Sequence, residues 1–257
     1  MIHQASGREM AEELFNSEKY QKMFQQLVLS HCEEATWAGE REEKWCAFWP
    51  AVGELYQVGG AMIVGRALDG WGETQFAVPQ VSQNTEQISN LAQRCQGSFS
   101  PKNLACFWEK YKRGGHSKIF QFAKRVAGIC SLNGSSNDWP KHIVWNNLAR
   151  ISFEKSGNPP CWSFYAQLDA AASLLDLEIR RLRPGVVVLA VGVDWAAPFR
   201  RRLQISLNQY AHLGYKYVCG AGKLADIPVV VCEHPAKRGL YLQKMEGEVK
   251  DVLKQLE

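Results

Sequence analysis

Four short apolar runs mark the chain at intervals, and longer amphipathic segments separate them. The runs lie near residues 60–65, 142–146, 186–191 and 228–232, and each is bounded by glycine, proline or polar residues. Strands that are apolar throughout, without alternation, are typical of a sheet that is buried on both faces. The pattern therefore predicts four buried strands.

Helical periodicity is strongest over residues 168–182, where apolar positions recur along one face. The same kind of spacing, over shorter stretches, predicts helices for residues 117–130, 203–210 and 245–256. Helices are therefore expected to alternate with the strands along most of the chain.

Alternating strands and helices predict a fold of the α/β class. Right-handed crossovers between parallel strands place helices on both faces of the sheet. We therefore expect a three-layer sandwich with a central four-stranded parallel sheet. The first fifty residues have mixed helical spacing. We expect residues 1–55 to form a helical extension packed on a single domain that spans residues 1–257.

Composition limits the class of protein without identifying it. With 257 residues, 46% of them hydrophobic, the chain can bury a sizeable core as one domain. Its net charge of +4 permits a polyanionic partner if the basic residues share a face. No apolar run is long enough to cross a bilayer, and the polar start lacks a secretory core. We therefore expect a cytoplasmic protein that does not insert into a membrane.

The eight cysteines are scattered and lack metal-binding spacing. No Cys-x-x-Cys pair occurs, and no cysteine and histidine fall at zinc-finger spacing. The prediction is that they are buried or half-buried free thiols in a reducing compartment, with no metal and no cofactor. A metal or iron–sulfur site assembled from distant cysteines is the alternative.

Polar residues follow the predicted strands, at the edge where ligands bind in open parallel sheets. Gly65, Arg66 and Asp69 follow the first strand. Asn147 follows the second strand, and His234 follows the fourth. Each has a structural explanation when taken alone: a turn residue or helix cap, a backbone hydrogen-bonder and a half-buried histidine. Their joint occurrence at successive strand ends favours a binding site.

The order of these motifs resembles the uracil-DNA glycosylase superfamily. Its members carry a glycine-led loop after the first strand, an asparagine after the second and a His-Pro loop after the fourth. In this chain, residues 65–71, Asn147 and His234-Pro235 are similar to those motifs. The segment 147–192 is similar in order and spacing to the bacterial and archaeal branches. The resemblance covers residues 59–245 and implies a uracil-DNA glycosylase-like fold.

The chain departs from the family pattern in two ways. The family's water-positioning acid or asparagine comes two places after the first loop glycine, where this chain has Ala67. Asp69 is the nearest carboxylate, and it supplies the same charge only if the loop takes a different path. The bacterial and archaeal branches also bind an iron–sulfur cluster through paired cysteines, and the lack of that pairing here predicts no cluster.

The resemblance implies a role for each residue of the site. Asn147 would bind the edge of a flipped pyrimidine, and His234 would hydrogen-bond its O2 as the base leaves. Asp69 would stabilise the cationic sugar and orient water. The predicted site residues are the catalytic Asp69 and His234, the base-binding Gly65, Arg66, Asn147 and Trp71, and the DNA-binding Lys237, Arg238 and Leu240.

The predicted function is a DNA glycosylase that excises a flipped-out pyrimidine and leaves an abasic site. The first loop has no aromatic residue before Trp71 to close off position 5 of the pyrimidine. Uracil and a 5-modified cytosine of phage DNA both stay open as substrates. One alternative is a degenerate member that binds DNA without excision, favoured by Ala67. Another is a Rossmann-like enzyme, which the missing Gly-x-Gly-x-x-Gly disfavours. We expect a monomer with DNA as its partner.

Overall fold

Strands in the computed structural model form one large sheet and one small sheet. The structure describes residues 6–40, 43–67, 74–81, 84–98, 117–130, 138–154, 158–208, 214–237 and 241–256. Within these ranges the strands are, in chain order, β1 (Lys44–Ala47), β2 (Ala51–Val52), β3 (Ala61–Gly65), β4 (Gln75–Ala77), β5 (Ile143–Asn147), β6 (Ile151–Phe153), β7 (Val186–Ala190), β8 (Leu207–Asn208), β9 (Val218–Leu224) and β10 (Ile227–Cys232).

The large sheet has the strand order β2-β5-β3-β7-β10-β9-β8. Its four central strands, β5, β3, β7 and β10, run parallel to one another, and they are the strands predicted from the apolar runs. Every residue of β3, β5 and β7 is buried, as expected for strands covered on both faces. The prediction of four central parallel strands is therefore confirmed.

The large sheet is mixed rather than wholly parallel, which the sequence pattern did not predict. β2 pairs antiparallel with β5 at one edge, and β9 and β8 continue antiparallel from β10 at the other. The small sheet, ordered β4-β1-β6, is antiparallel. The predicted helix at residues 203–210 is wrong. The helix there ends at Arg202, Gln204 takes a left-handed φ of 55°, and β8 follows.

Helices cover both faces of the large sheet. In chain order they are α1 (Gly7–Asn16), α2 (Glu18–Trp37), α3 (Val78–Val81), α4 (Thr85–Ser98), α5 (Lys118–Cys130), α6 (Cys161–Ala166), α7 (Leu168–Leu182), α8 (Val193–Arg202) and α9 (Leu242–Leu256). The chain moves in opposite directions from β3 to β5 and from β5 to β7, so right-handed crossovers put α5 and α7 on opposite faces. α5 contacts α9 and β3, whereas α7 contacts α1, α2 and α8. Among the described residues, no helix is long and apolar enough to cross a membrane.

The N-terminal helices pack on α7 and share its core. α1 begins with a capping box, in which Ser6 Oγ accepts the Glu9 N–H and the Glu9 carboxylate accepts the Ser6 N–H. Tyr20 and Phe24 of α2 pack against Trp49, with ring centroids 4.9 and 4.7 Å apart. Buried side chains of these helices and of the sheet form one continuous hydrophobic core.

The segment that follows α2 is not helical, although the sequence analysis assigned residues 1–55 to a helical extension. α2 ends at Trp37, and residues 44–52 contain β1 and β2. The run from Trp45 to Trp49 is buried. Aromatic side chains favour a strand over a helix, and Pro50 cannot continue a helix, so the apolar run enters the sheets instead.

Candidate functional site

The carboxyl ends of the four parallel strands meet at one edge of the large sheet. Arg66 follows β3, and residues 148–150 follow β5. Residues 191–192 follow β7, and residues 233–234 follow β10. Open parallel sheets bind ligands at this edge, and it is where the sequence analysis places the site.

Asn147 and Gly65 lie side by side at this edge. They are register partners at the ends of β5 and β3, and a Cβ on Gly65 would come within 2.6 Å of Asn147 Oδ1. Asn147 is 3% exposed, and its backbone N–H donates to Asn146 Oδ1. Its side-chain amide bonds to none of the residues that the structure describes. Neither polar atom of this amide is both fully buried and unpartnered, so the amide has access to the surface at this edge, where it can bind a ligand.

A buried polar cluster lies directly behind Asn147. Glu178 of α7 accepts hydrogen bonds from Asn146 Nδ2 at 2.6 Å, from Arg150 Nη2 at 2.6 Å and from Tyr20 Oη at 2.7 Å. Each of these four side chains is at most 1% exposed. A buried carboxylate is tolerated only when it is paired and hydrogen-bonded in this way, so the cluster fixes the position at which β5 ends.

Arg66 is anchored across the same edge. Its Nε donates to Val191 O at 2.8 Å, and its guanidinium lies 5.5 Å from the centroid of the Trp195 ring. Gly192 adopts a left-handed φ of 83°, which favours glycine, and a Cβ there would only be in ordinary contact with Arg66 Nη2 at 3.5 Å and Glu233 Oε2 at 3.7 Å. Burial lowers the pKa of Arg66 and nearby carboxylates raise it, and the guanidinium stays positive.

His234 is half-buried and neutral at physiological pH. Burial, and then the positive charge of Arg66, lower its pKa to about 4. Its Nδ1 accepts the backbone N–H of Ala236 at 3.3 Å, so the ring hydrogen is on Nε2. A neutral histidine with its hydrogen on Nε2 can donate to an oxygen on which negative charge develops.

Lys237 and Glu233 form an ion pair at the rim of this edge. Lys237 Nζ lies 2.8 Å from Glu233 Oε1, and the two side chains are 60% and 23% exposed. The hydrogen bond with Glu233 raises the pKa of Lys237, which is therefore positive at physiological pH. With Arg66 and Asp194, the rim near His234 carries two cations and two carboxylates. The two cations can bind phosphates of DNA.

Of the nine predicted site residues, five lie at the carboxyl edge and four lie outside the residues that the structure describes. Those at the edge are Gly65, Arg66, Asn147, His234 and Lys237. Those that lie outside the described residues are Asp69, Trp71, Arg238 and Leu240, and their roles stay predictions. Ala67 is partly buried and packs against the hydrophobic core, so position 67 supplies no polar group.

The described cysteines are free thiols that contribute mainly to packing. Cys32, Cys46, Cys95 and Cys232 are buried, and Cys161 is exposed. Burial raises the pKa of Cys32 to about 12 and that of Cys46 to about 11, so both are protonated at neutral pH. Among the described residues, no group of three or more histidine, cysteine, aspartate or glutamate side chains is arranged to hold a metal ion.

A separate groove of about 730 Å³ lies where α2, α7 and the end of α8 meet. The two acids that line it, Asp169 and Asp176, are paired with Arg202 and Arg180. None of the described site residues lines this groove. It therefore offers no free carboxylate for catalysis, and the carboxyl edge is the stronger candidate.

The sequence analysis missed the buried cluster of Asn146, Arg150 and Glu178. One signal was present, because Glu178 lies on the otherwise apolar face of α7. A carboxylate on an apolar helix face indicates a buried partner. The partners themselves do not follow from spacing, since Tyr20 and Arg150 are 158 and 28 residues away from Glu178 along the chain.

No model of a known protein family matches the chain, and no curated protein or solved structure matches it either. Function is therefore inferred from the chemistry of the carboxyl edge. That edge combines a mostly buried amide with no partner among the described residues, a neutral imidazole donor and two cations.

Proposed function

We propose that this chain is a DNA glycosylase with a uracil-DNA glycosylase-like fold, which hydrolyses the base–sugar bond of a pyrimidine flipped out of DNA. One observation carries the proposal: the sheet edge that holds the buried amide of Asn147 also holds the neutral Nε2–H donor of His234. An amide offers a donor and an acceptor to the edge of a pyrimidine, and a neutral donor suits an oxygen that becomes anionic.

Strands β3 and β7 lie between these two groups in the sheet. The last residue of β3, Gly65, leaves the space that the Asn147 side chain occupies. The next residue, Arg66, lies close enough to His234 to lower the pKa of the imidazole. A pyrimidine bound over the end of β3 would therefore have the amide on one side and the imidazole on the other.

The reaction breaks the C1′–N1 bond and adds water across it. The bonding electrons leave with the pyrimidine, so negative charge collects on its O2 while the sugar becomes cationic. His234 donates its Nε2–H to O2, and a preorganised donor of this kind contributes about 3–4 kcal/mol. Water then bonds to C1′ and gives up a proton, the pyrimidine takes up a proton, and an abasic sugar remains.

The carboxylate that orients the water is assigned to Asp69. Ala67 holds the position at which the resembling family carries an acid or asparagine, and Asp69 follows two residues later. Glu233 is an alternative at the same edge. Its ion pair with Lys237 and its proximity to Arg66 already engage its charge, so it is less suited to stabilise a sugar cation.

A second candidate is a DNA-binding protein of the same fold that does not excise a base. Ala67 favours it, because the position of the usual catalytic residue carries only a methyl group. Arg66 and Lys237 would bind phosphates in either protein. Only an excision measurement separates the two candidates.

The test is excision from single- and double-stranded DNA that carries uracil, thymine or a 5-modified cytosine, followed by alkaline cleavage of abasic sites. His234→Ala should lower the single-turnover rate by about 10²–10³ while DNA affinity stays within about twofold, because the hydrogen bond forms mainly in the transition state. His142→Ala is the matched control. His142 precedes β5, at the opposite edge of the sheet, and its removal should leave the rate unchanged.

Each outcome supports a different function for the protein or a different role for His234. Excision of one base that His234→Ala abolishes supports a glycosylase. DNA binding without excision of any base supports the second candidate. An equal loss of binding and rate in His234→Ala would mean that the histidine positions DNA and does not stabilise the leaving base.

A further inference from the structure

Asn146 connects the buried carboxylate of Glu178 to the backbone of Asn147. Its Nδ2 donates to Glu178 Oε2 at 2.6 Å, and its Oδ1 accepts the Asn147 N–H at 2.8 Å. Because the donor end and the acceptor end of one amide are both engaged, the Asn146 side chain has a single orientation. Exchanging the positions of Nδ2 and Oδ1 would place an N–H against the backbone N–H of Asn147 and an oxygen against the Glu178 carboxylate.

Glu178 is itself held from two further directions. Its Oε2 also accepts Arg150 Nη2 at 2.6 Å, and its Oε1 accepts Tyr20 Oη at 2.7 Å. All of these side chains are inaccessible to solvent or nearly so. In a buried environment each hydrogen bond is stronger than in water, and an unmade one is costly. The oxygen that accepts from Asn146, Oε2, is held by the ion pair with Arg150, whereas Tyr20 binds only the other oxygen.

We infer that Asn146 and Glu178 form a positioning relay that sets where the Asn147 amide lies at the base-binding edge. The inference rests on the proposed function, since it assigns Asn147 to the base. Neither Asn146 nor Glu178 would touch the substrate. Their effect passes through the Asn147 backbone, which is the register partner of Gly65 in the neighbouring strand. Small displacements of a binding group reduce rate strongly when reacting groups must be aligned.

Asn146→Ala tests the relay, and Tyr20→Phe is its control. Asn146→Ala removes the bridge but keeps the pair of Arg150 with Glu178. Tyr20→Phe removes one buried hydrogen bond to the same carboxylate, on the oxygen that does not contact Asn146. If Asn146→Ala does not fold, Asn146→Thr replaces it, because threonine suits a strand and its hydroxyl cannot reach both partners.

Two measurements are made: hydrogen exchange on the free protein, and single-turnover excision on its complex with DNA. Hydrogen exchange of the Asn147 amide should become at least about 10-fold faster in Asn146→Ala and no more than about threefold faster in Tyr20→Phe, with the Val144 amide as an internal reference for global opening. The single-turnover excision rate should fall at least about 10-fold in Asn146→Ala with DNA affinity within about twofold, and it should be unchanged in Tyr20→Phe.

The exchange measurement decides the relay independently of excision. Unchanged exchange at Asn147 in Asn146→Ala overturns the relay, as does faster exchange with an unchanged excision rate. Equal effects of both variants would mean that the cluster only stabilises the fold, and they would also overturn the relay. If the wild-type chain excises no base, the proposed function fails, and Asn147 exchange alone still shows whether Asn146 holds that residue.

Discussion

At the scale of single residues, the site depends on Gly65 having no side chain. A Cβ on Gly65 would come within 2.6 Å of Asn147 Oδ1, so Gly65→Ala must displace the end of the Asn147 side chain. Because that end can move, we expect the fold to survive with a stability loss of about 1–3 kcal/mol. Excision should fall at least about 10-fold, since the base contact is misplaced. Urea unfolding and single-turnover excision measure the two effects.

Gly128→Ala is the matched control for this substitution. Gly128 is exposed on α5, and no neighbouring atom lies within 4 Å of a Cβ added there. Alanine favours a helix, so this variant should gain about 0.5–1 kcal/mol and keep the wild-type rate. If Gly65→Ala also kept the wild-type rate, the contact between position 65 and Asn147 would have no part in base binding.

A second residue, His31, should make the fold sensitive to acid. It is fully buried, its Nδ1 lies 3.2 Å from Ser163 Oγ, and burial lowers its pKa from 6.5 to about 3. Above pH 6.5 it is neutral in both folded and unfolded chains. As the pH falls towards 3, only the unfolded chain takes up the proton, so stability is lost at about 1.4 kcal/mol per pH unit.

His31→Gln tests this acid sensitivity, because glutamine can hydrogen-bond Ser163 but does not titrate. Between pH 7 and pH 5, the wild-type free energy of unfolding should fall by ~2 kcal/mol more than that of the variant. Urea unfolding at the two pH values measures the difference. Equal falls in both proteins would show that His31 takes up a proton in the folded state and that other groups cause the acid sensitivity.

The sequence identified the polar residues of the site more readily than the residues that support them. Asn147 and His234 follow predicted strands directly, so the topology of a parallel sheet is enough to bring them to one edge. Glu178 and Tyr20 meet only because α2 packs on α7. That packing depends on tertiary contacts, which no local pattern encodes.

At the scale of elements, fully apolar strands were predictable and the antiparallel edge was not. β7 is an unbroken run of aliphatic residues, whereas β9 has the sequence VCGAGKL, with glycines at positions 220 and 222. Glycine usually weakens a strand, so this pattern favours a loop. The structure explains Gly222 by the close approach of Ser206, whose carbonyl oxygen would overlap a Cβ there, whereas a Cβ on Gly220 would make only a tight contact of 3.2 Å with Asn208 O.

Gly222→Ala should therefore detach the edge of the sheet. An added Cβ would overlap the carbonyl oxygen of Ser206, which belongs to the backbone and cannot rotate away. We expect a loss of about 1–3 kcal/mol in the free energy of unfolding and faster hydrogen exchange in β8. Lys223→Ala is the control, since Lys223 is the exposed neighbour in the same strand. Equal stability of the two variants would contradict the tight packing of β8 on β9.

At the scale of the whole molecule, the α/β layering followed from the alternation of apolar runs and helices, but the packing of the first fifty residues did not. α1 and α2 lie on the layer formed by α7, and residues 44–52 enter the two sheets. The apolar run at 45–49, with aromatic residues at 45, 48 and 49, has no alternation that would distinguish a strand from a buried helix. Its assignment requires β4 and β6, the partner strands of β1, which are distant in sequence.

The distribution of charge gives the last prediction. The net charge of +4 is too small to bind DNA by itself, so the position of each cation matters. Lys237 and Lys250 are both exposed, and each is paired at 2.8 Å with the glutamate four residues before it, Glu233 and Glu246. Only Lys237 lies at the carboxyl edge. Lys237→Ala should weaken DNA binding and reduce the slope of log Kd against log salt by about one, as expected for one lost phosphate contact.

Lys250→Ala removes the same charge and the same kind of ion pair from α9, so it corrects for net charge and for stability. Exposed ion pairs of this kind contribute little to folding, so both variants should fold alike. Titration of a fluorescent duplex at several salt concentrations measures the slopes. If both lysines changed the slope equally, DNA would bind through net charge alone. An unchanged slope in Lys237→Ala would mean that DNA does not pass along the carboxyl edge. That result would also contradict the site proposed there for base excision.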